Sequence, residues 1–246
     1  MKELNKKAIL KDLKENDIDI RIFSTIDSTN NECKRQCFDK KYLLITAEEQ
    51  TEGRGRSGKN WISQKLGNVY MSFAFNNNLK NSPISLITGT IVYSILAKIT
   101  KSIDFGLKWP NDILLKNKKI GGILVETVIN KENIKTIIGI GINLNINKKE
   151  SWWGDLSKFA LESKRNELIN LILTEFLNIF DNSYDNWVDD WKKSCLHLNK
   201  EIEIFDGEHL QKKAIFKDID AQGNAVIESN EGEEVIATGQ ISIKGV

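Results

Sequence analysis

The chain has 246 residues, 40% of them hydrophobic and 28% charged, enough for one large core and a smaller second unit. A net charge of +1 supplies no global field for nucleic acid, and beyond one basic glycine-rich loop no local basic patch suggests a DNA partner. The segment Met1 to Lys7 lacks the apolar run of a signal peptide, and no window reaches the roughly 18 apolar residues of a membrane span, so the expected location is the cytoplasm, with no membrane partner. Cys33 and Cys37 have no second pair to complete a zinc site, and two histidines near the C-terminus argue against a histidine-dependent triad. The chemistry is therefore expected to run on cations and carboxylates.

In chain order, Leu4 to Asn16 reads as a short helix carrying Ile9, Leu10 and Leu13, and the alternation of Ile18, Ile20 and Ile22 reads as a half-buried strand. In Ser24 to Glu32, Thr29 and Glu32 have capping-box spacing ahead of Cys33. Short polar side chains exceed what one cap needs, so Ser28, Thr29 and Asn30 either start a helix or bind a small polar head group. Tyr42 to Ala47 reads as a buried strand delivering Gln50 and the segment Gly53 to Trp61. There glycines alternate with Arg54, Arg56 and Lys59. Glycine permits positive φ and close approach of backbone N–H groups to an anion, and the cations neutralise phosphate. A solvated basic hairpin is the competing reading. Two phosphate-binding templates fail: the dinucleotide fingerprint lacks its strand, helix and acidic residue, and the Walker A pattern has Asn60 where a hydroxyl is required.

Asn68 to Phe75 reads as a strand, and Ser82-Pro83 announces a core helix, with Ser82 as N-cap and Ile84, Ile87, Ile91 and Ile95 in helical period. Lys108-Trp109-Pro110-Asn111-Asp112 interrupts an apolar strand with polar groups, either as an edge turn or as a site for an anionic ligand. Lys118 to Glu126 and Ile138 to Asn145 read as neighbouring strands. In the second, Gly139, Gly141, Asn143 and Asn145 share one face, bare enough for a ligand or for a closely packed element. Beyond a loop at Ser151 to Gly154, Arg165 to Cys195 reads as helical. Short strands at Glu201 to Phe205, Lys213 to Ile219, Ala225 to Glu228 and Glu234 to Ile243 predict a small antiparallel barrel.

Ser28-Thr29-Asn30, Gln50, the Gly-Arg-Gly-Arg loop with Trp61, the Lys108 to Asp112 segment, Lys119 to Glu126 and Gly139 to Asn143 occur in the order and approximate spacing of biotin protein ligases. The chain resembles the shorter, ligase-only members of that family. The resemblance implies an α+β fold: a mixed β-sheet flanked by helices, of the class II synthetase-like type, in residues 1–195, and an SH3-like barrel in residues 196–246. It implies that biotin carboxylate attacks the α-phosphate of ATP, with Mg2+, to give biotinyl-5′-adenylate, and that a lysine of the biotin carboxyl carrier protein of acetyl-CoA carboxylase then takes the biotinyl group. The protein would act as a monomer or homodimer.

Carried over by position, Ser28, Thr29, Asn30 and Gln50 would bind the ureido end of biotin, and Arg54, Gly55 and Arg56 would meet its carboxylate. Lys108, Arg54 and Arg56 would be catalytic, with Lys108 between carboxylate and α-phosphate. Lys59, Trp61, Asn111, Lys119 and Asn143 would serve ATP together with Arg56, and Asp112 would serve ATP and assist its magnesium or the incoming lysine. Gly121 and Gly122 would leave room for biotin. Ser57 and Asn60 depart from the basic residues common at these positions, which implies weaker retention of the adenylate. A lipoate-type ligase is the alternative within the same superfamily.

Overall fold

Seven strands form a mixed sheet in the order β1-β2-β3-β7-β6-β5-β4. They are β1 (Ile18–Phe23), β2 (Tyr42–Ala47), β3 (Val69–Asn76), β4 (Phe105–Lys108), β5 (Asp112–Leu115), β6 (Lys118–Asn130) and β7 (Asn133–Ile142). Only β1 and β2 pair in parallel; every other neighbouring pair is antiparallel. The computed structural model describes residues 3–65, 67–77, 83–130, 133–147, 150–237 and 242–245.

The two faces of this sheet are covered unequally. One face carries Leu44, Met71, Phe73, Ile123, Ile138 and Ile140 into the main core, beneath α3 (Ile84–Thr100) and α4 (Arg165–Asn182). The α3 helix is apolar nearly all round, as a helix packed between a sheet and other helices must be. Among the described residues the opposite face is covered by the short helix α2 (Thr29–Arg35), packed over Leu43, Ile45, Ala74 and Ile137 through Cys33. Beyond the end of α2 no helix among the described residues lies over this face, and the cavity described below opens there.

Several local expectations change in the folded chain. The first helix is a single turn, α1 (Lys6–Ile9), capped by Asn5, whose side chain accepts from Ala8 N at 3.0 Å. Asp12 then takes φ 63, which a helix cannot continue through. The N-cap of α2 is Ser28, not Thr29: Ser28 is extended and its side chain accepts from Asn31 N, while Thr29 is the first helical residue and its hydroxyl donates to Gln50. Residues 165–195 hold two helices, α4 and α5 (Trp187–Ser194), separated where Ser183 adopts φ 62. The proposed cap Ser82 lies outside the described residues.

The C-terminal unit is a five-stranded antiparallel sheet, order β11-β10-β9-β8-β12. Its strands are β8 (Lys200–Asp206), β9 (His209–Ile219), β10 (Ala225–Ser229), β11 (Gly232–Ile236) and β12 (Ser242–Gly245). The single strand expected over Glu234 to Ile243 is thus two, on opposite edges, and no pairing among the described residues closes the sheet into a barrel. The unit is fastened to the large sheet by Leu196 N donating to Leu107 O (3.0 Å) and Trp109 Nε1 donating to Gly223 O (3.0 Å). Trp109, Trp191 and Phe216 fill that junction. No described helix is long and apolar enough to cross a membrane.

Candidate functional site

A cavity of about 370 Å³ opens over the uncovered face of the large sheet. Its floor is β7 and β6, where Gly139, Gly141 and Gly122 lack side chains. These glycines are needed chiefly for other parts of the protein. A Cβ on Gly139 would stand 2.2 Å from Asn30 Oδ1, and one on Gly141 would stand 2.6 Å from the Trp61 ring. The bare strand therefore seats α2 at one end and the indole of the glycine-rich loop at the other. Gly121 does not line the cavity; its missing side chain is matched by Ile113 beneath β6.

At one end, Ser28, Thr29, Asn30 and Gln50 come together from α2 and the end of β2. Thr29 donates twice to Gln50 Oε1, from N (2.8 Å) and Oγ1 (3.1 Å), and Gln50 Nε2 donates to Ser63 Oγ at 2.7 Å. The Ser72 hydroxyl sits between Thr29 Oγ1 (2.7 Å) and Asn30 Oδ1. Asn30 in turn donates to Glu126 Oε2 (2.9 Å) and to Leu124 O (3.3 Å). Ser28, Thr29, Asn30, Ser63 and Ser72 are buried, Gln50 and Glu126 half-buried, and the network they form is mutually satisfied, which holds their rotamers fixed.

The loop from Gly53 to Trp61 forms the wall above. Gly55 N donates to Lys59 O (2.6 Å), Lys59 N to Arg56 O (3.1 Å) and Trp61 N to Gly53 O (2.8 Å), so the segment is a closed hairpin. It turns at Ser57 (φ 52) and Gly58 (φ 72). A Cβ on Gly53 would meet Trp61 O at 2.2 Å, so only glycine permits this closure. Arg54, Gly55, Arg56, Lys59 and Asn60 all face the cavity. Arg56 Nη1 donates to Asn111 Oδ1 at 3.2 Å; burial lowers the pKa of its guanidinium and Asp112 works against that. Trp61 Nε1 is buried without a hydrogen-bond partner among the described residues, which leaves a donor for a ligand.

Across the cavity, Lys119 Nζ lies 2.6 Å from Asp112 Oδ1 and 5.4 Å from the centre of the Trp61 ring. Asn143 lies on the same wall and donates to Gly154 O (3.1 Å). Lys108 is not among the residues lining the cavity. It stands opposite Asp112 in the β4–β5 pair, so it flanks the carboxylate that acts on Arg56. No cluster of three or more histidine, cysteine or carboxylate groups exists among the described residues, and Asp112 is engaged by Lys119. These residues do not make a magnesium cage.

The motif reading missed part of the wall. Trp152 and Trp153, perpendicular to each other at 5.4 Å, line the cavity beside Lys119, whose N–H donates to Trp152 O at 3.0 Å. Asp206 and Gly207 line it from the β8–β9 turn of the C-terminal unit. Adjacent tryptophans in a polar loop were a usable signal; a turn dipeptide was not. His197 is buried against Phe216 at that junction, where burial first, then Lys108 and Lys200, push its imidazole down to about 4.

The fold and cavity together define a protein with a partly apolar pocket between a mixed sheet and a cationic hairpin. Residues 21–143 match the biotin/lipoate A/B protein ligase family, and residues 197–244 match the biotin protein ligase C terminal domain. This chain belongs to the biotin/lipoate A/B protein ligase family. It is 31% identical over 184 residues to the bifunctional ligase/repressor BirA of Escherichia coli, an alignment covering 70% of this chain and 56% of that protein. It is 30% identical over 110 residues to the biotin–[acetyl-CoA-carboxylase] ligase of Mycobacterium tuberculosis, covering 42% and 39% of the two. The biotin protein ligase of Aquifex aeolicus, solved with biotin and ATP, superposes with a TM-score of 0.75 at 28% identity, over 93% of this chain and 99% of that one.

Proposed function

We propose that the chain is a biotin protein ligase that forms biotinyl-5′-adenylate from biotin and MgATP and passes the biotinyl group to a lysine of a biotin carboxyl carrier protein. The observation that carries this reading is one cavity in which hydrogen-bonding groups (buried Thr29, half-buried Gln50) and cations (Arg56, Lys119) face one another across a partly apolar floor. That is the chemistry of a ligand with a neutral polar head, an apolar chain and an anionic end.

In the first step a biotin carboxylate oxygen attacks the α-phosphorus, and the bond to the bridging oxygen of pyrophosphate breaks. Arg56 and Lys119 stabilise the charge on the phosphoryl oxygens, and the rigid hairpin holds carboxylate and phosphate together. Lys108, beside Asp112, serves the same region. Magnesium enters as part of the MgATP substrate, since the residues present supply no cage for it. In the second step the acceptor amine attacks the acyl carbon and AMP leaves. Trp61 Nε1 and Asn143 suit the nucleotide. The β8–β9 turn of residues 196–246 adds to the cavity wall and, in this reading, makes that C-terminal unit part of the working enzyme.

Incubation with labelled biotin, ATP, magnesium and a carrier domain tests the reading, with Lys108→Ala as the impaired control. Label should move to the carrier only with ATP present; a folded chain that transfers none would overturn it. A thermal shift with biotin but none with lipoate separates the reading from the lipoate-type alternative.

A further inference from the structure

Arg54 of the glycine-rich loop reaches both α2 and β6. Its Nη1 lies 2.9 Å from Asn31 Oδ1 and 3.1 Å from Glu126 Oε1. Glu126 is a junction of three segments. Besides Arg54 of the loop, its carboxylate accepts from Asn30 Nδ2 (2.9 Å) and Lys34 Nζ (2.8 Å) of α2, while its backbone belongs to β6. Burial works to raise its pKa, but Lys34, Asn30 and Arg54 outweigh that and hold the group ionised. Because the loop is closed by its own backbone bonds, it moves as one piece, and its ties to the rest of the protein decide whether it stays down. They include Trp61 on Gly141, Arg56 on Asn111, and Arg54 on Glu126 and Asn31.

The geometry points to Glu126 as a positioning residue that latches the glycine-rich loop over the cavity through Arg54, and so sets how long the enclosed acyl-adenylate is retained. This rests on the reading given under Proposed function for the ligand, but the latch itself concerns the loop with or without ligand. The opposing view, that Arg54 serves the ligand directly, makes a prediction of opposite sign. If Glu126 merely competed for Arg54, neutralising it would free the guanidinium for the ligand and slow release. If Glu126 is the latch, neutralising it opens the loop and hastens release.

The test compares wild type with Glu126→Gln, Arg54→Gln and the double variant. In the ligand-free protein, exchange of the Trp61 indole N–H, which is buried against Gly141 while the loop is down, should accelerate roughly tenfold in Glu126→Gln, while backbone amides of the β6–β7 pairing keep wild-type protection. Release of preformed adenylate should quicken by a similar factor, and the double variant should be no faster than the faster single one, because both remove the same contact. Unchanged loop exchange in Glu126→Gln, slower release, or additive effects in the double variant would each overturn the latch. Protection lost equally across the sheet would mark Glu126 as a general structural residue and also overturn it. If wild type forms no adenylate, the ligase reading fails while the exchange data still decide the latch.

Discussion

Gly141→Ala tests the claim that the bare face of β7 exists to seat Trp61. The added Cβ would stand 2.6 Å from Trp61 Cε2 and Nε1 and 2.8 Å from Cζ2. Ordinary carbon contacts lie near ~3.5–4.0 Å, so the ring must retreat by roughly 1 Å. It is not free to do so alone, because Trp61 N is bonded to Gly53 O at 2.8 Å and the ring also packs beneath Lys119 Nζ. Overpacking of this kind costs about 1–3 kcal/mol. Charged against loop closure, that weakens ligand binding by about five- to 150-fold. Titration calorimetry with biotin and with a non-hydrolysable ATP analogue reads the effect directly. Trp61→Ala removes the clashing ring, so adding Gly141→Ala to it should cost little more. Binding by Gly141→Ala within twofold of wild type, or a double variant as bad as the summed single ones, would show that the glycine serves something other than the indole.

Three further outcomes are expected. Arg165 is fully buried and paired with Glu48 through two contacts of 2.7 and 2.8 Å, so Arg165→Met should cost about 3–5 kcal/mol by stranding the carboxylate. For a chain of this size that lowers Tm by about 6–20 °C, and Glu48→Leu in the same chain should recover much of the loss in denaturant titrations. Acid should weaken the fold in two stages. His197 stays neutral in the folded protein down to about 4 against an ordinary value of 6.5, so the unfolded chain takes up its proton first and stability falls below pH 6.5. His197→Phe should remove about 2 kcal/mol of that loss at pH 5, read as a smaller shift of the urea midpoint between pH 7 and pH 5. The Glu48 carboxyl, which burial works to raise but Arg165 holds below 4.5, contributes stability present above that value and lost as pH falls through its folded pKa. Finally, Asn60 lines the cavity without charge, so Asn60→Lys should slow adenylate release by about five- to 150-fold, the worth of one charge-assisted contact of about 1–3 kcal/mol. Equal release rates would show that position 60 does not hold the ligand.

The strands were legible because their signal is local. Isoleucine alternating with glycine through Ile138 to Ile142 assigns one face of β7 to a core and bares the other. The long apolar α3 was legible for the same reason. The single turn of α1 and the break at Ser183 were not, since leucines and isoleucines continued the helical period while backbone conformation at Asp12 and Ser183 ended it. At the cavity, residue types in motif order were readable as a set. Their individual partners were not: Gly121 turned to Ile113, Arg54 to Asn31 and Glu126, and Lys119 to Asp112. Trp152, Trp153 and Asp206 stood outside the motifs and reached the wall only through loops whose course no periodicity describes.

What the chain alone determined was the chemistry on offer: a cationic hairpin, a polar helix start and a stripped strand, each encoded within about ten neighbouring residues. Tertiary structure decided which groups meet. Arg165 neutralises Glu48 across 117 residues and Arg54 meets Glu126 across 72, pairings that depend on how separate segments pack and leave no periodic trace in between. The bare face of β7 is the plainest case, since its glycines announce that something approaches closely, and only the packed chain reveals Asn30 and Trp61 there.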